Sequence, residues 1–147
     1  MDPGPRSVEE HLTPWRRALL AWMLLILLET LHGIVRELFI APVLGDLHAR
    51  QMGVLVGCVL IFAVALLTVR WIGARGRAAW LGIGALWVGL TLTFEFAAGR
   101  GLGYDWQRIL SDYNPARGGF MALGMAFLCV APLLAAKLRG LESGGDR

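Results

Sequence analysis

Glu29, His32 and Arg36 interrupt an apolar run, LLILLETLHGIVREL (24–38). Positions i, i+3, i+4 and i+7 share one face of an α-helix, so Glu29, His32, Gly33 and Arg36 form a single stripe. A carboxylate, an imidazole and a guanidinium on one stripe suit the handling of a proton or the binding of a small polar solute. A second apolar run, LTLTFEFAAGR (90–100), carries Glu95 and Arg100, which complete the binding or proton-handling candidates. A charge at mid-bilayer costs about 2.5–3.5 kcal/mol even on a lenient insertion scale. These side chains are therefore expected to face a bundle interior, in a crossed arrangement of Glu29 with Arg100 and Glu95 with Arg36. The competing reading is structural, with the charges only fixing helix register. His32 has no counterpart in the second run, where Ala98 stands.

The elements that must position this cluster are membrane spans. The 147 residues are 56% hydrophobic and 17% charged, with a mean hydropathy of +0.60. A soluble domain carries about 25% charge, so the balance names lipid as the solvent. Four apolar segments, roughly 15–40, 52–69, 79–98 and 119–136, approach the ~20 residues that cross a bilayer. Backbone groups in lipid must be satisfied within the segment, so each is expected to be a helix. Thr13-Pro14, Asp46 and Asn114-Pro115 read as start signals before spans one, two and four.

The halves of the chain resemble each other. Trp15 and Trp22 recur as Trp80 and Trp87 at an offset of 65, and Glu29, Gly33 and Asp46 recur as Glu95, Gly99 and Asp112 at 66. Arg50, Gly57 and Arg70 recur as Arg117, Gly124 and Lys137 at 67. The expected fold is all-α, a polytopic four-transmembrane-helix bundle of two duplicated hairpins related by a parallel pseudo-two-fold repeat. Residues 1–13 form a cytosolic arm, 14–75 and 76–139 the two hairpins, and 140–147 a disordered tail. The N-terminus lacks a signal-peptide pattern, so span one reads as uncleaved. Lys and Arg number nine on the side that holds both termini and five on the other, which places both termini in the cytoplasm of a bacterial inner membrane.

Between spans three and four, GRGLGYDWQRILSDYNPARGG (99–119) offers Tyr104, Asp105, Trp106, Arg108, Asp112 and Tyr113 as an interfacial or docking set. It reads as an amphipathic linker at the aromatic belt, or as a lid over the charged cluster. Gly53-x-x-x-Gly57 suits close helix contact. The net charge of +3, without a basic run interleaved with aromatics, argues against nucleic acid. Cys58 and Cys129 match neither a disulfide framework nor a metal spacing. No catalytic residue, metal site or cofactor is expected: phosphate loops and nucleophile motifs are missing, and Glu29-x-x-His32 lacks the second such motif of di-metal bundles.

The pattern LETLHGIVR, GDLHARQMGVL and FEFAAGRGLGYDWQRILSDY resembles an uncharacterised family of small four-span bacterial integral membrane proteins. The resemblance implies the membrane and the span number, and no activity comes with it. Two functions are expected from the residues themselves. One is small-solute or proton transport or permeation, in a homo-oligomer or beside a membrane-protein partner. The other is a non-catalytic accessory or assembly role in a membrane complex.

Overall fold

The computed structural model describes residues 6–141, with side chains from Thr13 onward. All regular secondary structure among the described residues is helical, without a strand. Helix α1 (Arg6–Val35) runs into a π-helical turn, Arg36–Ile40, and a short α2 (Ala41–Leu44). Gly45, at φ 81°, reverses the chain into α3 (Asp46–Ile72). Two glycines at positive φ, Gly73 and Gly76, make the next turn, and α4 (Arg77–Gly101) follows. The chain then forms α5 (Trp106–Ser111), a 3-10 turn at Pro115–Arg117, and α6 (Met121–Leu138).

Four of these stretches are long and apolar enough to cross a membrane: Thr13–Leu44, Asp46–Ile72, Arg77–Gly101 and Met121–Leu138. The first three contain the first three apolar runs of the sequence, and the fourth covers the fourth run from Met121 onward. Around the bundle the order is α1, α3, α6, α4, with the α1–α4 seam the thinnest. The core holds fully buried Trp80, Trp87, Leu25, Ile83 and Leu128 among small alanines. At Gly84 of α4 an added Cβ would stand 1.7 Å from the Cys129 carbonyl oxygen, so the α4 and α6 backbones touch there. Two indoles stitch α1 to α4: Trp87 Nε1 donates to the Ala18 carbonyl at 2.9 Å, and Trp22 Nε1 donates to Thr91 Oγ1 at 3.0 Å.

The start signals differ from expectation. Thr13-Pro14 does not open a helix, because the described backbone is already helical from Arg6 and α1 carries Pro14 inside it. A proline lacks the N–H for one helical bond but fits helical φ, so a helix can run through it at a cost. Asp46 does not cap α3. It is the first helical residue after Gly45, and its carboxylate pairs with Arg50 one turn on. Asn114 caps the 3-10 turn instead of α6, its side-chain oxygen accepting from the Ala116 N–H at 3.0 Å. The tail assigned to 140–147 begins with ordered backbone: Leu141 N donates to the Ala136 carbonyl and Gly140 N to that of Lys137, the pattern of a Schellman cap. Residues 142–147 and the first five residues of the N-terminal arm lie outside the described residues.

Candidate functional site

Lipid-immersed helices keep charged side chains only where other protein surrounds them, and the bundle provides one such place. A cavity of about 430 Å³ lies between the spans, at the end that holds the α1–α3 turn and the 102–120 segment. Glu29 and His32 enter it from α1, Arg36 from the start of the π turn, Arg50 and Cys58 from α3, and Thr91 and Glu95 from α4. Tyr104 and Asp112 close it from the segment between α4 and α6, while Leu25, Ile61 and Leu128 form its apolar floor.

The stripe on α1 forms as its spacing requires. His32 Nδ1 approaches Glu29 Oε2 at 3.5 Å, a long contact that becomes an ion pair when the ring is protonated. The other carboxylate oxygen, Glu29 Oε1, is buried without a hydrogen-bond partner. Among the described residues the one acid that Arg36 pairs with is the exposed Glu37, at 3.7 Å, and its Nε is buried and unpartnered. Glycines on α3 admit both heads. A Cβ at Gly57 would stand 3.1 Å from Glu29 Oε2, and one at Gly53 would stand 2.9 Å from Arg36 Cδ. Within this chain the Gly-x-x-x-Gly spacing thus seats two charged side chains.

Glu95 has no hydrogen-bond or ion-pair partner among the described residues. The charges within its reach are Asp112, Glu29 and Arg36. The crossed pairs expected from sequence do not form. Arg100 turns away, donating from Nη1 to the Tyr104 carbonyl at 2.9 Å and lying 5.4 Å from the Trp106 ring centre. The reason is angular: five residues at 100° each carry Arg100 about 140° around the helix from Glu95. Arg36, seven residues after Glu29, stays on its stripe.

The 102–120 segment is folded and fastened. Asp105 caps α5 by accepting from the Arg108 N–H at 2.7 Å. Arg50 and Arg108 alternate with Asp46 and Asp112 in a closed ring of four charges. Arg50 binds Asp112 and, at 3.2 Å, Asp46, while Arg108 lies 3.2 Å from Asp112 and 3.7 Å from Asp46. Gln51 Nε2 adds a bond to the Gly118 carbonyl at 3.2 Å. The ring ties the segment to the first turns of α3. Tyr113 tucks beneath it against Phe96, with ring centres 6.0 Å apart and a buried hydroxyl that lacks a partner. Burial, then the Glu95 and Asp112 carboxylates, push its phenol up to about 12.

The docking set divides accordingly. Tyr104 and Asp112 line the cavity, Asp105 and Arg108 hold the segment together, Tyr113 packs inward, and Trp106 faces outward. Arg50 is a charged cavity residue the sequence reading missed, alongside Asp46 of the ring and Cys58 and Thr91 of the cavity wall. Its signal was two i, i+4 charge pairs, Asp46–Arg50 and Arg108–Asp112, with signs that let them close on each other. Among the described residues no three His, Cys, Asp or Glu side chains come together as a metal site. Comparison with protein-family models, with curated proteins and with solved structures returned no match.

Proposed function

We propose that this chain is a multi-pass bacterial inner-membrane protein that passes protons or a small polar solute through the cavity between its spans. The observation that carries the reading is the grouping of Glu29, His32, Arg36 and Glu95 around one cavity, with Glu95 unpartnered among the described residues. A charge kept only to set helix register would be matched inside the protein. A carboxylate left unmatched in a hollow favours traffic, and a carboxylate beside an imidazole, as at Glu29 and His32, can accept a proton from one face and release it toward the other. The ring of Arg50, Asp112, Arg108 and Asp46 is the gate frame in this reading, since it holds the segment that covers the hollow.

The duplicated-hairpin origin belongs to the same proposal. In its support, α1–α3 and α4–α6 are each adjacent pairs around the bundle, and the indole bonds from Trp22 and Trp87 run in opposite senses across the α1–α4 seam. The two halves have diverged in burial, since Trp80 is fully buried and Trp15 is exposed. Both termini are placed in the cytoplasm by the Lys and Arg balance, which terminal reporter fusions check directly.

The test is proton flux in proteoliposomes with an internal pH dye and an imposed pH gradient. Wild-type protein should dissipate the gradient, and Glu29→Gln and His32→Ala should slow it to the rate of empty vesicles. Flux unchanged in both folded variants would sink the reading and leave the accessory role. That role would draw on the exposed apolar surface of the π turn and α2, where Leu38, Phe39 and Val43 are 63–80% exposed.

A further inference from the structure

The hollow leaves hydrogen-bonding groups of both signs unmet. Glu29 Oε1 is an acceptor and Arg36 Nε a donor, both buried without a partner, and Glu95 adds a carboxylate with none. Buried polar atoms are almost always partnered by protein, water or ligand, so each of these calls for an occupant. The Glu29 and Arg36 heads do not satisfy each other, seated as they are over different glycines of α3. Glu29 sits over Gly57 and Arg36 over Gly53, one helical turn or about 6 Å along α3, with His32 between them in sequence.

The sign of each unmet group defines what fits. A simple cation would answer Glu29 and Glu95 and leave Arg36 facing its charge. A simple anion would answer Arg36 and meet two carboxylates. A molecule with an ammonium at one end and a carboxylate at the other answers all three. Two further observations limit its size: the cavity is about 430 Å³, with an apolar floor of Leu25, Ile61 and Leu128, within the range of small-molecule sites. A metal ion is a poor fit to this donor set, which forms no three-ligand cluster among the described residues.

We propose that the cavity binds a small zwitterionic amino acid, its ammonium on Glu29 and Glu95 and its carboxylate on Arg36. The inference rests on reading the cavity as a solute site, and it names the class of solute. Glu29 and Arg36 grip the two ends, and Gly57 and Gly53 set the distance between the grips.

Cys58 lines the same cavity and serves as a reporter. In a Cys129→Ala background it is the only thiol, and its rate of labelling by N-ethylmaleimide reads whether the hollow is filled. The probes are glycine, 4-aminobutyrate, n-butylamine and butyrate, applied to the full chain in nanodiscs. At least one of the two zwitterions should slow labelling in a saturable way. Butylamine and butyrate should need about tenfold higher concentration or more, since each forfeits one charged contact. Glu29→Gln should reduce the zwitterion to the level of butyrate, and Arg36→Gln to that of butylamine. Equal protection by butylamine would make the hollow a cation site, and protection by none of the four would make it a water-filled one; either result overturns the inference. The comparison of four probes on the unmutated site stands even where a variant fails to fold. Proton flux measured without any amino acid separates the two readings: flux without protection defeats only the zwitterion, and protection without flux defeats only the transport.

Discussion

The carboxylate of Glu29 lies over the backbone of Gly57, so close that a methyl group at position 57 would stand 3.1 Å from Oε2. A side chain on one span is thus placed by the absence of a side chain on another. Gly57→Ala should leave the bundle folded, because the contact is with the end of a flexible side chain and alanine favours helix by about 1 kcal/mol. It should displace the carboxylate from His32. The expected outcome is a thermal midpoint within a few degrees of wild type, with proton flux or Cys58 protection clearly reduced. Unchanged function would show that the seat does not matter.

Gly84 makes the opposite kind of contact. Its neighbour is the Cys129 carbonyl oxygen, 1.7 Å from an added Cβ, and backbone cannot swing aside. Gly84→Ala should force α4 from α6 and destabilise the bundle by about 3 kcal/mol, at the upper end of overpacking costs. Gly89 on the same helix has nothing within 4 Å of an added Cβ, so Gly89→Ala is the matched control. Unfolding by denaturing detergent measures both. Equal midpoints would refute the close crossing.

The ring of Asp46, Arg50, Arg108 and Asp112 predicts coupling rather than simple loss. Its members are 22–53% exposed, between a surface pair and a buried one, so Arg50→Ala should cost about 1–3 kcal/mol. A cycle of Arg50→Ala, Asp112→Ala and the double variant should give a coupling of about 1 kcal/mol or more. Protease cleavage within 102–120 should rise in each single variant. A coupling near zero would mean that the segment is held by other contacts.

Tyr113 predicts a pH dependence with a definite sign. Its phenol ionises at about 12 when folded, against a reference of 10.0. Between those values the folded chain keeps a proton that the unfolded chain has lost, so stability falls as pH rises through that window. Tyr113→Phe removes this contribution and should flatten the decline. In an absorbance titration of the folded protein, the phenolate step missing from Tyr113→Phe should be the one near 12. A missing step near 10 would place the hydroxyl in water.

The four spans were legible because apolar runs of this length leave the backbone no alternative to helix. The α1 stripe was legible because Glu29, His32 and Arg36 obey helical periodicity. Arg100 was misplaced by comparing halves of the chain instead of counting angle: it follows Glu95 by five residues where Arg36 follows Glu29 by seven. Cap signals failed at Asp46 and Asn114 for a shared reason. Each lies beside a turn that another residue sets, Gly45 at positive φ in one case and a 3-10 turn in the other. Arg50 escaped notice because its role depends on two local charge pairs meeting across 62 residues, which no local spacing reveals.

The π turn at Arg36–Ile40 opens on the last cavity residues of this stretch, Arg36 and Glu37, which follow Ile34 of α1. A π turn holds about one more residue than an α turn and shifts the angular phase of everything beyond it. What lies beyond is Ala41–Leu44, a short stretch with no buried residue. Chain length can therefore change after Glu37 at little expense to the hollow, since Glu29, Arg36 and Glu37 are already placed before that point. One residue lost between Glu29 and Arg36 would instead swing the guanidinium about 100° off its stripe. Insertions and deletions should accordingly be tolerated just after Glu37 and excluded just before Arg36, a border in tolerance that a single-residue deletion scan of 29–44 would map.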